Sequence, residues 1–285
     1  MKRISSNSFY FFCIYIFSLV SCSSDGDNSN EENNSSQQYN FKYITSSYSE
    51  DHEDFYGFYR DTLVYQNNQL TKALFFGCSG TLHQFEYGEN GKISTHYIGG
   101  TVGSGYDNLE NDISQPGTFW NKYVHTYNGN NELIKIIGYD VNFEGELELE
   151  FTISLAYDSN NRPYKINYAH NFDSFYIEAA QFDSNGNMIE DTEGHTYDYD
   201  NNPNPMFALF KKYGLFFLES CNIFDQNTSY ISVNNLVRYY EPNGDVSCYD
   251  ASYSYDQNGY PTSVYYQRCI GANAEWDTEH FNYLD

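Results

Sequence analysis

The chain has 285 residues, with 14 Lys and Arg against 39 Asp and Glu, for a formal charge of −25. An acidic excess of this size repels phosphate backbones and anionic headgroups, which argues against nucleic acid as a partner. Aromatic residues include 31 Tyr and 22 Phe, beside three Met and six Pro; such side chains suit a pleated, half-buried surface, so an all-β protein is expected.

Residues 1–21 read as a cleaved signal peptide. Lys2 and Arg3 precede an apolar run, Phe9 to Val20, that is 12 residues long. A bilayer span needs roughly 20, so the run is too short for an anchor helix. Leu19-Val20-Ser21-Cys22 resembles the lipobox of bacterial lipoproteins, which implies cleavage before Cys22 and acylation of its thiol. Buried acyl chains contribute ~0.8 kcal/mol per methylene, and the several chains of such lipoproteins imply permanent membrane attachment. Ser23, rather than Asp, follows the cysteine, which favours the outer membrane. The run Ser23-Ser24-Asp25-Gly26-Asp27 is similar to the export signal of Bacteroidota surface lipoproteins, which implies exposure to the cell exterior.

Removing residues 1–21 takes away two basic residues and no acidic ones, leaving a charge of −27. Ser23 to Gln38 contains no hydrophobic residue. Such a segment cannot bury enough surface to offset the entropy of ordering, so residues 22–38 are expected to form a disordered acidic tether, ~20–24 Å in r.m.s. span. Residues 39–285 are then expected to form a single domain.

Within that domain one pattern recurs: an aromatic residue, Asp, Asn or Gly, one or two polar residues, then Asn-Gly or a relative. It begins at Tyr65, Tyr87, Tyr127, Tyr157, Phe182, Tyr199, Tyr240 and Tyr255, most cleanly as Tyr255-Asp256-Gln257-Asn258-Gly259. A side-chain oxygen at the second position can accept from a backbone N–H two residues on, and Asn and Gly tolerate the left-handed conformation that closes the loop. The flanks alternate as strands do. Leu147, Leu149, Phe151, Ile153, Leu155 and Tyr157 are expected on one face, with Glu146, Glu148 and Glu150 on the solvent side. The spacing between copies is too irregular for a solenoid of identical units. An antiparallel meander of repeated hairpins follows, curved or partly closed. Met206 to Leu218 has apolar residues at helical spacing, and one short helix is expected near 206–218, over a face or end of the sheet.

Tyr253-Ser254-Tyr255-Asp256-Gln257-Asn258-Gly259-Tyr260-Pro261-Thr262 resembles the closing motif of a family of Bacteroidota surface lipoproteins of unknown function, with tyrosine–aspartate (YD/RHS-like) hairpin repeats. Those repeats are similar to ones in larger bacterial surface and toxin-shell proteins. Tyr197-Asp198-Tyr199-Asp200-Asn201-Asn202-Pro203-Asn204-Pro205 carries the same likeness, which covers roughly residues 40–285. It implies no established activity.

No HExxH, GxSxG, phosphate-loop or EF-hand pattern occurs, so neither cofactor nor metal is expected. Gly77-Cys78-Ser79-Gly80 reads as a tight turn, and Gly99 to Gly105 as a flexible loop. The seven histidines show no metal-ligand spacing, and most read as strand or edge residues. Cys78, Cys221, Cys248 and Cys269 remain after processing. If Tyr255 pairs with Tyr260, Cys248 faces Gln267 with Cys269 on the diagonal, which favours free thiols. Tyr106, Trp120 and Trp276 fall in stretches outside the hairpin pattern, where sheet pairing does not account for them, and are the candidate contact residues. These features together suggest a non-enzymatic surface module that binds a glycan or a protein. A structural or assembly scaffold is the alternative, and an enzyme with a site assembled only in space ranks third.

Overall fold

A computed structural model describes residues 41–48, 59–75, 81–100, 112–170, 174–216, 230–242, 246–270 and 273–283. The signal peptide, Cys22, the tether, Tyr106, Cys78 and Cys221 lie outside them. Among the described residues, strands run in chain order as β1 (Phe41–Tyr48), β2 (Tyr59–Gln66), β3 (Gln69–Phe75), β4 (Thr81–Tyr87), β5 (Ile93–Gly100), β6 (Asn121–Tyr127), β7 (Leu133–Val141) and β8 (Leu147–Tyr157). There follow β9 (Pro163–His170), β10 (Ser174–Phe182), β11 (Met188–Asp191) and β12 (Thr196–Pro203), the helix α1 (Pro205–Tyr213), then β13 (Asn234–Tyr240), β14 (Val246–Tyr255), β15 (Pro261–Ile270) and β16 (Asn273–Tyr283). The all-β meander with one short helix is as expected. Each strand pairs antiparallel with its sequence neighbours, and β1 pairs with both β2 and β16, so the pairing order returns on itself as a barrel.

The repeated motif builds the turns at one end. In the loops starting at Asn128, Asp158, Asp183 and Asp256, the first residue's N–H donates to the carbonyl four residues on, and its own carbonyl accepts from the residue three on. Its Oδ1 accepts two further backbone N–H groups, two and four residues along. The fourth residue is left-handed in each: Asn131, Asn161, Gly186 and Gly259. Asn142 and Asp191 build the same loop at the opposite end. At Gly88 the acceptor side chain is missing, and Asn90 Oδ1 takes the Lys92 N–H instead.

The tyrosines that close these strands then tie hairpin to hairpin. Tyr87 Oη donates to the Leu70 carbonyl at 2.5 Å, Tyr127 to Ile93 at 2.7 Å and Tyr157 to Leu133 at 2.9 Å. Each acceptor is the first or second residue of the neighbouring strand, and all three residues are buried. Burial raises the phenol pKa of all three tyrosines, keeping each a proton donor.

The interior is one apolar core to which β2–β9, β11–β16 and α1 all contribute, among them Phe85, Ile136, Ile153, Ile166, Val264 and Tyr266. The helix is shorter than the expected 206–218. Asn204 Oδ1 caps its start by accepting from Met206 and Phe207 N–H, and left-handed Gly214 ends it. Met206, Leu209, Phe210 and Tyr213 face the core, followed by buried Leu215 and Phe216. Lys92 Nζ caps the helix end, donating to the Lys211 and Lys212 carbonyls at 2.6 and 2.9 Å, and Tyr213 Oη reaches the Asn68 carbonyl. The helix thus lies across the motif end of the barrel.

Several outward positions are polar. Ser154 is exposed between buried Ile153 and Leu155, Ser252 and Ser254 are exposed on β14, and the pairs Lys165–Glu178 and Arg238–Asp250 bridge neighbouring strands. Charged groups on a lipid-facing strand cost ~2–4 kcal/mol at mid-bilayer.

The register between β14 and β15 corrects the sequence expectation. Tyr255 pairs with Pro261 rather than Tyr260, a further shift sets Ser254 opposite Ser263, and Gln267 faces Asp250 instead of Cys248. One extra residue belongs to the loop closed between Asp256 and Tyr260, and the other, Thr262, is a bulge that a count from the loop centre does not anticipate.

Three of the histidines, expected in strands or at edges, lie in β4, β5 and β6 and are buried in the core. His83 Nδ1 lies 2.7 Å from His96 Nε2, Thr81 Oγ1 lies 3.0 Å from His83 Nε2, and the His96 ring packs edge-on against Tyr123. Burial pushes His83 and His125 down to about 3, and burial with the neighbouring histidines holds His96 well below its ordinary range. All three are neutral when folded.

Two outcomes follow for stability. Gly214→Ala, which forces a Cβ into Tyr127 at a left-handed position, should cost about 2 kcal/mol or more in urea unfolding, and Tyr157→Phe about 1 kcal/mol. Because the histidines bind protons more readily unfolded (pKa ~6.5) than folded, stability should be level above pH 7 and fall as pH drops from 6.5 towards 4, by at most ~1.4 kcal/mol per unit for each histidine. Asp158 and Asp183 are held low because loop hydrogen bonds outweigh burial, so they add losses only below about 3.8. Equal unfolding midpoints at pH 6.5 and 4.5 would contradict neutral, buried histidines.

Candidate functional site

The run from Leu147 to Tyr157 does not keep one face throughout. Gly138 pairs with Phe151, but the next residue, Tyr139, pairs with Leu149, leaving Glu150 as the extra residue of a bulge. One inserted residue reverses every side chain beyond it. Phe151, Ile153 and Leu155 stay inside at 6 % exposure or less, whereas Leu147 and Leu149 are 44 % and 54 % exposed. Glu150 turns towards Asn121, whose Nδ2 donates to Asp140 Oδ1 at 2.5 Å and to Glu150 Oε2 at 3.4 Å. Glu148 faces Asp140 across the strands and accepts from Asn142 Nδ2. The expected solvent row of three glutamates is therefore broken, and two leucines stand outside in its place.

Trp120 joins them. It extends β6 by one residue: its N–H donates to Ile98 O at 2.9 Å and its carbonyl accepts from Val141 N–H at 2.7 Å. Val141 faces Leu147, and Lys122 faces Tyr139, which faces Leu149. These rows set Trp120, Tyr139, Val141, Leu147 and Leu149 on one outer surface of β6–β8. The Trp120 ring lies over Gly100, whose missing Cβ makes room for it, and stays 44 % exposed. Phe143, at the tip of the β7–β8 turn, is fully exposed. Alongside, Ile113 and Phe119 pack on Leu82 and Tyr97, so residues 113–119 cover the outside of β4 and β5 up to the edge of the exposed patch.

Of the three candidate contact residues, Trp120 belongs to this patch. Trp276, expected in a loop, lies in β16 opposite Gln267, and Tyr106 lies outside the described residues. Phe143, Leu147 and Leu149 were not singled out from the sequence. Their signal was Gly138 within an apolar strand, since a glycine there marks a bulge or a close approach; a Cβ at this position would strike the Phe151 ring.

A cavity of 380 Å³ opens at the motif end, lined by Lys92, Tyr127, Glu132, Tyr157, Phe210 and Lys211 among others. Its cations are committed to structure: Lys92 to the helix end, and Lys211 to the Asn161 carbonyl at 3.3 Å. Its tyrosines donate to backbone carbonyls. This is the packing of α1 against the loops, without a poised acid–base pair. Among the described residues no group of three or more His, Cys, Asp or Glu is placed to hold a metal ion.

No family model matches the chain, and no curated protein matches it by sequence. Among solved structures it is similar to a porin-like protein from Bacteroides uniformis ATCC 8492, at 11 % identity and a TM-score of 0.40, over 86 % of this chain and 98 % of that one. A porin-like protein from Bacteroides vulgatus ATCC 8482 matches at 10 % identity and a TM-score of 0.39, over 86 % and 99 %. A TcdB2–TccC3 structure without the hypervariable C-terminal region matches at 10 % identity and a TM-score of 0.30, over 77 % of this chain but 11 % of that chain's length.

Proposed function

We propose that the protein is a lipid-anchored module of the outer membrane, facing the cell exterior, whose barrel binds a protein partner without catalysing a reaction. The observation that carries this reading is the bulge in β8, which turns Leu147 and Leu149 outwards beside Trp120 and below Phe143. Covering such side chains is favourable by ~25 cal/mol per Å² of apolar surface. Aliphatic leucines beside the aromatics suit a protein surface better than a sugar, which stacks on aromatic faces. Glu144 and Glu146, exposed at the adjoining β7–β8 turn, favour a partner with a basic rim, through charge complementarity. The scaffold alternative, in which open sheet edges pair with another chain, has less support, because each described strand already has two neighbours.

The anchor and the surface are tested separately. Cys22→Ser should abolish incorporation of labelled fatty acid and release the protein from the membrane fraction; fatty-acid labelling that survives the change would refute the lipid anchor. A photo-crosslinking residue at position 149 should give a discrete protein adduct on intact cells, whereas one at Ser254, exposed on β14, should not. The adduct should disappear when Trp120→Ala and Leu147→Asp are added, with the unfolding midpoint shifting by no more than ~0.5 kcal/mol in equivalent stability. Equal adducts at both positions, or none at 149, would exclude this patch as the docking surface.

A further inference from the structure

The cavity beside α1 holds two ammonium groups and one carboxylate that do not neutralise one another. Lys92 and Lys211 line it, and among the described residues neither has a carboxylate within ion-pair distance. In a chain with 39 acidic residues against 14 basic ones, such a pair of lysines stands out. The carbonyl contacts that fix them use two N–H donors of Lys92 and one of Lys211, so each ammonium keeps a donor and its charge. Burial and the nearby Lys211 charge lower the Lys92 pKa, and an anion between the two would relieve both groups. Glu132, 9 % exposed, lines the same cavity and accepts from Asn128 Nδ2 at 2.7 Å. An ionised carboxylate only accepts, so its remaining lone pairs call for donors.

The flanking loops add carboxamides. Six loops of this fold share one build, each with a left-handed fourth residue. Four place glycine there, at Gly145, Gly186, Gly194 and Gly259, whereas the two that line the cavity place Asn131 and Asn161. Glycine adopts this conformation at lower steric cost than asparagine, so turn geometry alone does not account for the pair. Both asparagines are exposed, and neither side chain is hydrogen-bonded among the described residues.

We propose that this cavity binds a hexuronate, free or at the end of an acidic polysaccharide, with its carboxylate on Lys92 and Lys211 and its hydroxyls on Glu132, Asn131 and Asn161. The volume of 380 Å³ lies in the lower part of the ~300–1,000 Å³ range of small-molecule sites. Tyr127 and Tyr157 give the cavity aromatic walls for the C–H face of a sugar ring. A neutral sugar leaves the ammonium pair unanswered, and Glu132 repels a second negative charge on a phosphorylated one. The cavity shares no residue with the patch around Trp120, so the two surfaces are tested apart.

Calorimetric titration of the purified full-length protein with galacturonate and glucuronate tests the site, with galactose, acetate and a galacturonate trimer beside them. At least one of the two uronates should bind roughly tenfold tighter than galactose, which lacks the carboxylate, and than acetate, which lacks the hydroxyls. Tighter binding of the trimer than of galacturonate assigns a polysaccharide end as the source, and equal binding assigns the free sugar. Lys211→Met, at an exposed position, should weaken the uronate roughly tenfold. Asn161→Gly, which copies the other loops, should weaken it several-fold while the urea midpoint stays at or above that of the wild type. No uronate binding at millimolar concentration overturns the proposal. Acetate binding as tightly as the uronate also overturns it, as does an affinity unchanged in both variants.

Discussion

Where the strands part into the motif turns, the carbonyls of Leu70, Ile93 and Leu133 are received by the hydroxyls of Tyr87, Tyr127 and Tyr157. A buried carbonyl left without a donor costs ~1–3 kcal/mol. No aliphatic residue could fill the core and also satisfy that carbonyl; tyrosine does both, with its ring inside and its oxygen at the rim. The Tyr127 and Tyr157 bridges depend on the Asx loops beside them, because the loop's backbone bonds decide which residue ends the strand. Helix α1 in turn rests on this rim, with Tyr213 packed edge-on to Tyr87. The abundance of tyrosine is thus a consequence of building a wide barrel from short hairpins whose ends must be stitched together.

Much of this architecture was legible. The Tyr-Asp-x-Asn-Gly loops announced the meander, because turn chemistry is local and each residue type has its own reason to be there. The helix near 206–218 was legible from its period, whereas its end at left-handed Gly214 was not anticipated. What escaped lay in the bulges. Alternation predicted one face for Leu147 through Tyr157, yet the bulge at Glu150 sends two leucines outside. A slip of the same kind near Tyr255 moved the register opposite Cys248. Bulges depend on how two strands twist against each other, and a period-two count along one strand does not contain that information. The buried histidines were missed for a related reason: His83, His96 and His125 are far apart in the chain and meet only across three strands.

The distribution of polarity connects fold to use. Apolar side chains pack the described interior, and exposed groups stand on the outer wall. On most of that wall serines, lysines and carboxylates alternate with buried residues. The sector around Trp120, Leu147 and Leu149 is different, and it is different because of one inserted residue in β8 rather than because of a separate loop or lid. A rigid sheet carrying its contact residues loses little conformational freedom on binding, unlike a flexible loop.

The pairing order also bears on how the chain acquires its structure. Among the described residues, fifteen strand pairings join neighbours in sequence and the seam between β1 and β16 joins distant segments. Local pairings form early because little chain must be looped to make them, whereas a contact spanning the domain carries the largest loop-closure entropy. Hairpins can therefore accumulate one after another along the chain, with ring closure as the last and slowest event.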